Sequence, residues 1–249
     1  MKPIEIIQDI FTNQLSVLNI AVPTSATSLA DAKRICEENN YDVHLVSDAT
    51  SNDLQLYFHN SVKQPRNLSH REVVSESTPI IDTLELLIEN NQIFVKVKNE
   101  ISYVVSKADI DTIPVRLWLF GMINLFEMEL KIRIEKLKIP WEVYLRPEIQ
   151  KSIDKAYNNK KKNNQDIDKL NCTNLRELFK VCELNRSLLN FLDEFDSSDP
   201  KILFNNICDL RNDLAHANSI AEYNCEDLLN WMKLIKSFVE GEITEVNSR

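Results

Sequence analysis

The chain has 249 residues, 43% of them hydrophobic and 27% charged, enough for two ordinary globular domains. Its net charge of −9 argues against a general nucleic-acid-coating protein. Its only glycines are Gly121 and Gly241, so it has no Gly-rich loop of the kind a P-loop or a Rossmann dinucleotide turn requires. The charge is uneven. Residues 1–114 hold 9 Lys+Arg against 16 Asp+Glu, a balance of −7, and residues 115–249 hold 20 against 22, a balance of −2. A polyanionic partner is therefore tolerated only by the second part, at a local site. Cys36, Cys172, Cys182, Cys208 and Cys225 are odd in number, scattered and without a C-x-x-C pair, which points to reduced thiols in a cytosol rather than to zinc or disulfides. The start Met1-Lys2-Pro3 does not read as a signal peptide. The most hydrophobic stretch, 113–130, contains Arg116, Asn124, Glu127 and Glu129, which suits a buried helix and not a membrane span. The expected setting is cytoplasmic.

The first half carries a repeat with an offset of 51 residues: Thr27 aligns with Thr78, Asp31 with Asp82, and Glu38-Asn39-Asn40 with Glu89-Asn90-Asn91. Each copy opens on a Ser/Thr start signal and an amphipathic helix, over 29–39 and 81–90. A β-branched strand follows, over 43–46 and 93–97, then a turn and a second strand, over 54–58 and 101–105. Neither copy can bury a two-stranded sheet alone, so the two should pack together. With glycine scarce, Asn is expected to make the turns, as at Asn39-Asn40, Asn90-Asn91 and Asn158-Asn159.

This helix–strand–strand–helix repeat resembles a tandem pair of CBS motifs, a Bateman module. The sharper copy is the second, where Ser106-Lys107-Ala108-Asp109 fits the Ser/Thr-x-x-Asp element that opens the last helix of nucleotide-binding CBS motifs. The resemblance implies that Ser106 contacts phosphate and Asp109 the ribose hydroxyls of an adenine nucleotide. Ser106 as a plain N-cap and Asp109 as a first-turn acid account for the same residues without a ligand. The first copy departs from the pattern: His59-Asn60-Ser61 follows its second strand, so at most one site is equipped.

From about Thr112 the pattern becomes wholly helical. One long helix is expected over 113–137, with Pro114 in its first turn, and a break at Pro140-Trp141. Further helices are expected over 147–158, 174–195, 200–218 and 227–240, with Ser197-Ser198-Asp199-Pro200 as a stop-and-start signal. Lys160-Lys161-Lys162 is expected as a solvated interhelical loop. The organisation is thus α+β: an N-terminal CBS-motif pair over 1–112, then an all-α bundle over 113–249.

The segment over 200–218 is two-faced. Leu203, Ile207, Leu210 and Leu214 form an apolar stripe, and Asn205, Asp209, Asn212 and His216 form a polar one nearly opposite, with Arg211 beside it. A guanidinium that can neutralise a phosphoryl group and an imidazole that can move a proton suit chemistry on phosphate. Arg211 and His216 are five residues apart, so one copy makes an incomplete site.

Cys208-Asp209-Leu210-Arg211-Asn212-Asp213-Leu214-Ala215-His216-Ala217-Asn218, with its Arg-Asn start and Ala-His end, resembles the Arg-x4-His signature of HEPN domains. That resemblance implies a homodimeric, metal-independent endoribonuclease acting on RNA. Arg211, Asn212 and His216 are its catalytic set, joined by Glu127 as the polar residue of the first helix. Glu127 also reads as a surface acid pairing with Lys131. No cofactor is required for cleavage. An adenine nucleotide at the CBS pair, or a partner such as an antitoxin, is the candidate regulator, and a toxin or phage-defence effector is the implied setting. The alternatives are a non-catalytic nucleotide sensor whose helical domain dimerises or binds a partner, and a helical domain associated with a nucleotidyltransferase.

Overall fold

The computed structural model describes residues 7, 9–47, 53–59, 64–163, 165–185, 188 and 199–241. They form a mixed α+β structure with seven α-helices and two sheets among the described residues. The chain divides into two compact units. One is 13–115; the other joins the described residues before Asn13 to those from Arg116 onward.

The first unit contains β1 (Val22–Pro23), α1 (Leu29–Asn39), β2 (Val43–Ser47), β3 (Leu54–Phe58), β4 (Arg66–Asn67), β5 (Val73–Ser75), α2 (Ile80–Glu89), β6 (Gln92–Val97) and β7 (Glu100–Ser106). Both copies of the repeat fold alike. In the second, β5 runs parallel to β6 across α2, and β6 turns back on β7. In the first, a parallel bridge joins Thr27 to Val46 across α1, and β2 turns back on β3. The strands assort into a four-stranded sheet ordered β1-β7-β6-β5 and a three-stranded sheet ordered β2-β3-β4. The expected mutual packing is present: Leu45 and Leu56 of the smaller sheet are buried with Phe94 of the larger one. α1 starts because the Ser28 hydroxyl accepts from the Asp31 amide, and stops because Asn40 takes a left-handed φ of 55°. The β6–β7 hairpin turns on Lys98 and Asn99, at φ 47° and 74°, the two successive positive φ values of a tight hairpin, here without glycine.

The second unit contains the greater part of α3 (Ile113–Lys136), then α4 (Pro147–Lys162), α5 (Leu175–Glu183), α6 (Pro200–Ala215) and α7 (Cys225–Glu240). Its core is built on aromatics. Phe126 meets Phe238 edge-on at 4.8 Å and Phe179 at 5.8 Å, and Phe179 stacks on Phe204 at 4.2 Å. Asn174 and Glu177 close a reciprocal capping box on α5, and Asp199 with Pro200 starts α6.

Three expectations need correction. Asn158-Asn159 is no turn: α4 runs on through Lys162, so Lys160-Lys161-Lys162 form its last turn, where cations complement the carbonyl end of the helix. The helix expected over 174–195 ends at Glu183, and its extension over 189–195 lies outside the described residues, as does Asn60-Ser61 of the first copy. The helix expected to open at Ser106 is only a 3-10 turn, Lys107–Asp111, broken at Thr112 before α3 begins. No helix among the described residues is long and apolar enough to cross a membrane.

Candidate functional site

The motif helix α6 divides as its sequence requires. Leu203, Phe204, Ile207, Cys208 and Leu210 are buried, while Asn205, Asp209, Asn212 and His216 are exposed. Burial pushes the Cys208 thiol up to about 11, so it stays a thiol and is no nucleophile near neutral pH. His216 sits at the C-cap, its amide donating to the Asn212 carbonyl at 3.0 Å. The chain then turns through Ala217 at φ 58°, and the Asn218 amide donates back to the Asp213 carbonyl at 2.9 Å. This is a Schellman ending with alanine where glycine is usual, and it fixes the backbone on both sides of His216.

Arg211 is half-buried, with its guanidinium 6.0 Å from the centroid of the Phe120 ring on α3. Its Nε is shielded from solvent and has no hydrogen-bond partner among the described residues. Two carboxylates flank it in sequence, and both are committed elsewhere. Asp209 pairs with Arg176 at 3.3 Å. Asp213 accepts from Asn218 Nδ2 at 3.0 Å and from the Tyr223 hydroxyl at 2.6 Å. Those two bonds, with the positive charges of Arg116 and His216, hold the Asp213 carboxyl below its ordinary range. Burial and the nearby carboxylate push the Tyr223 phenol up, so it remains the donor. Arg211 and His216 are not bonded to each other, as their spacing implied. The role of Tyr223 went unread, because nothing in its local sequence ties it to a helix that ends eight residues earlier.

Glu127, also on α3, is committed locally. Its Oε1 accepts from Lys131 Nζ at 2.7 Å, with both side chains mostly buried. No hydrogen bond or ion pair among the described residues joins it to Arg211, Asn212 or His216. Its charge instead acts on Glu177, whose carboxyl is raised chiefly by burial. Among the described residues no group of three or more His, Cys, Asp or Glu side chains is placed to hold a metal ion.

The sheet unit holds a separate cleft of about 1010 Å³. Ser106 and Asp109 both line it, beside Lys107, Gln92 and His44. Ser106 and Asp109 close on each other: the Ser106 amide and hydroxyl donate to Asp109 Oδ2 at 2.7 and 2.9 Å. The capping role is therefore realised, and the second oxygen of Asp109 has no partner among the described residues. Gln92 is the register partner of Ser106, so their side chains share one face of the hairpin. Gln92 Nε2 and His44 Nε2 are both shielded from solvent without a hydrogen-bond partner among the described residues, and burial lowers the His44 pKa, which keeps the imidazole neutral. A second cleft of about 680 Å³, lined by Ser47, Asn67, Ser69, His70 and Lys96, lies in the same unit.

No protein-family model, no curated protein and no solved structure matches the chain.

Proposed function

We propose that the chain is a metal-independent endoribonuclease of HEPN type, regulated by an adenine nucleotide bound to a CBS-motif pair. The observation that carries this reading is Arg211, a half-buried cation set over an aromatic ring, with both neighbouring carboxylates already taken. Such a guanidinium keeps its charge for an anion that a ligand brings, and RNA phosphate is the anion that an exposed imidazole on the same helix would serve. A base takes the proton of the ribose 2′-OH. The oxygen attacks phosphorus, the bond to the 5′-oxygen breaks, and an acid protonates that oxygen, leaving a 2′,3′-cyclic phosphate and a 5′-OH. His216 is the acid–base group, Arg211 offsets the charge on the phosphoryl oxygens, and exposed Asn212 positions the substrate. Glu127 is the weakest member of the proposed set, since its carboxylate is already bonded to Lys131.

Arg211 and His216 are about 140° apart around an ideal helix, so a second copy is proposed to complete the site. Leu117 and Met128 support a homodimer: at 58% and 41% exposed, they leave apolar surface on the helix that carries Phe120. Sedimentation at tens of micromolar tests it. The repeated order of a parallel crossing, a helix and a hairpin supports the CBS reading, and the large cleft beside Asp109 supports a ligand there. That cleft by itself also favours a second reading, a non-catalytic nucleotide sensor whose helical unit binds a partner or antitoxin.

The deciding experiment incubates the protein with total RNA in EDTA, alone and with AMP, ADP, ATP or S-adenosylmethionine, beside His216→Ala. Cleavage lost in His216→Ala, with cyclic-phosphate ends, supports the nuclease. Activity unchanged in His216→Ala, or RNA intact under every nucleotide, moves the reading to the sensor.

A further inference from the structure

α4 runs on through Asn158-Asn159, and this continuation aligns lysines that a turn would have separated. At about 100° per residue, Lys151, Lys155, Asn158 and Lys162 fall within about 60° of arc, on a stripe about 16 Å long. All four are exposed, while Ile153 on the opposite face is buried. Lys151, Lys155 and Lys162 make no hydrogen bond or ion pair among the described residues. The other two lysines of the helix are placed differently: Lys160 falls on the inward side, and Lys161 sits 5.1 Å from the centroid of the Tyr157 ring. Asp154, at the edge of the stripe, is taken by Lys169 at 2.6 Å, and Glu148 lies at its N-terminal end. The helix thus carries five lysines against two acids, Glu148 and Asp154, a balance of +3 in a chain of net charge −9.

We propose that this stripe is an RNA-binding surface, on a helix that carries none of Arg211, Asn212 and His216. Charge complementarity selects a polyanion, and the make-up of the face selects a nucleic acid over an acidic protein. Ser152 and Asn159, which flank the stripe, are exposed and polar, and no large apolar side chain of α4 is exposed. A protein partner would need an apolar or aromatic anchor at the centre of the patch. Lysine is a compact charge on a flexible stem, suited to backbone phosphates, and the Asn158 amide can donate to a phosphate or a ribose oxygen. Such contacts carry no sequence preference, but they require a strand long enough to reach all three lysines. The inference takes from the ribonuclease reading only the identity of the polyanion, and it adds the class of substrate, an extended strand and not a mononucleotide.

The test measures binding of a single-stranded 2′-O-methyl RNA, which cannot be cleaved through its 2′-oxygen, across a range of salt. Wild type is compared with a triple variant, Lys151→Gln, Lys155→Gln and Lys162→Gln combined. A second triple replaces the same residues by Arg, and a control triple replaces exposed Lys33, Lys98 and Lys136 by Gln, for the same change in net charge. Arg211→Ala is measured beside them, and cleavage of the matching 2′-hydroxyl RNA is followed in wild type. The α4 Gln triple should lower the slope of log K against log salt by about 2, since each single-strand phosphate contact is worth about 0.7. At about 0.1 M salt that slope corresponds to roughly hundred-fold weaker binding. The Arg triple should restore the slope, and the control triple should keep it. A slope unchanged in the α4 Gln triple, with Arg211→Ala impaired, overturns the stripe and leaves the ribonuclease reading standing. An equal loss in the control triple assigns the effect to net charge and overturns the stripe as well. RNA held through the α4 lysines but never cleaved keeps the stripe and removes the nuclease. Wild type that binds polyglutamate but no RNA at any salt gives the stripe to an acidic protein and overturns both, as does binding of neither.

Discussion

The Tyr223 hydroxyl donates to Asp213 at 2.6 Å, and through this bond the carboxylate two residues from Arg211 is satisfied without Arg211. Tyr223→Phe removes the donor and keeps the ring, which meets Trp231 edge-on at 6.1 Å. The stability cost should be about 0.5–1.5 kcal/mol, that of one hydrogen bond. The more telling effect is electrostatic. Asp213, deprived of Tyr223, leaves more uncompensated negative charge beside Arg211 and His216, so RNA binding should weaken although Tyr223 touches no substrate. The Asp213 carboxyl should also rise toward its ordinary 3.8, readable by carbon-13 titration. A variant with full RNA affinity and an unmoved Asp213 would remove Tyr223 from this account.

Gly121 is a close-approach glycine. A Cβ there would lie 2.1 Å from Cε1 of Phe11, and Phe11 also gives its carbonyl to Trp118 Nε1 at 2.8 Å. Gly121→Ala must push the ring away, an overpacking change that typically costs about 1–3 kcal/mol. The displaced segment loses the Trp118 bond, so tryptophan emission should shift to the red with the lower melting temperature. Unchanged stability would show that the residues before Asn13 do not hold this helix.

The repeat was readable because it rests on local chemistry. Ser28 and Asn40 bracket a helix, and strand periods of two put Leu45, Leu56 and Phe94 on inward faces. Helix ends without such signals were misread: Asn158-Asn159 looked like a turn by composition, but the three lysines that follow favour continuing the helix to its carbonyl end. The polar stripe of α6 was legible from its spacing. The partners that take both neighbouring carboxylates from Arg211 among the described residues were not, because Arg176 and Tyr223 reach Asp209 and Asp213 through tertiary packing. The pairing of Glu127 with Lys131, one turn on, was legible from the i, i+4 spacing alone.

Glu72 gives a pH dependence of known sign. It is nearly buried, and it accepts from Arg66 Nη1 at 2.8 Å and Nη2 at 2.5 Å and from the Ser69 amide at 2.9 Å. The bond to Arg66, more than any other cause, holds its carboxyl below the ordinary 4.5. A carboxylate with a depressed folded-state pKa contributes stability above its unfolded value. That contribution is lost as pH falls through the depressed one. Wild type should therefore lose melting temperature below about pH 4.5, and Glu72→Gln should start lower and show a flatter acid limb. Parallel acid limbs for the two proteins would place the titration elsewhere.

Catalysis supplies the last prediction. Removing a general acid–base group typically costs about 10²–10⁴ in rate. His216→Ala should lose that much while keeping its fold, because the imidazole is exposed and makes no hydrogen bond to another described residue. Arg211→Ala should lose a comparable factor. Arg211→Lys should recover little, since an ammonium cannot present the fork that spans two phosphoryl oxygens or lie flat toward Phe120. Glu127→Gln should cost stability through Lys131 and leave kcat within a few-fold. A fully 2′-deoxy substrate should bind and resist cleavage, because the attacking hydroxyl is absent. Rapid cleavage of that substrate would require a water nucleophile, and the roles given to Arg211 and His216 would have to be redrawn.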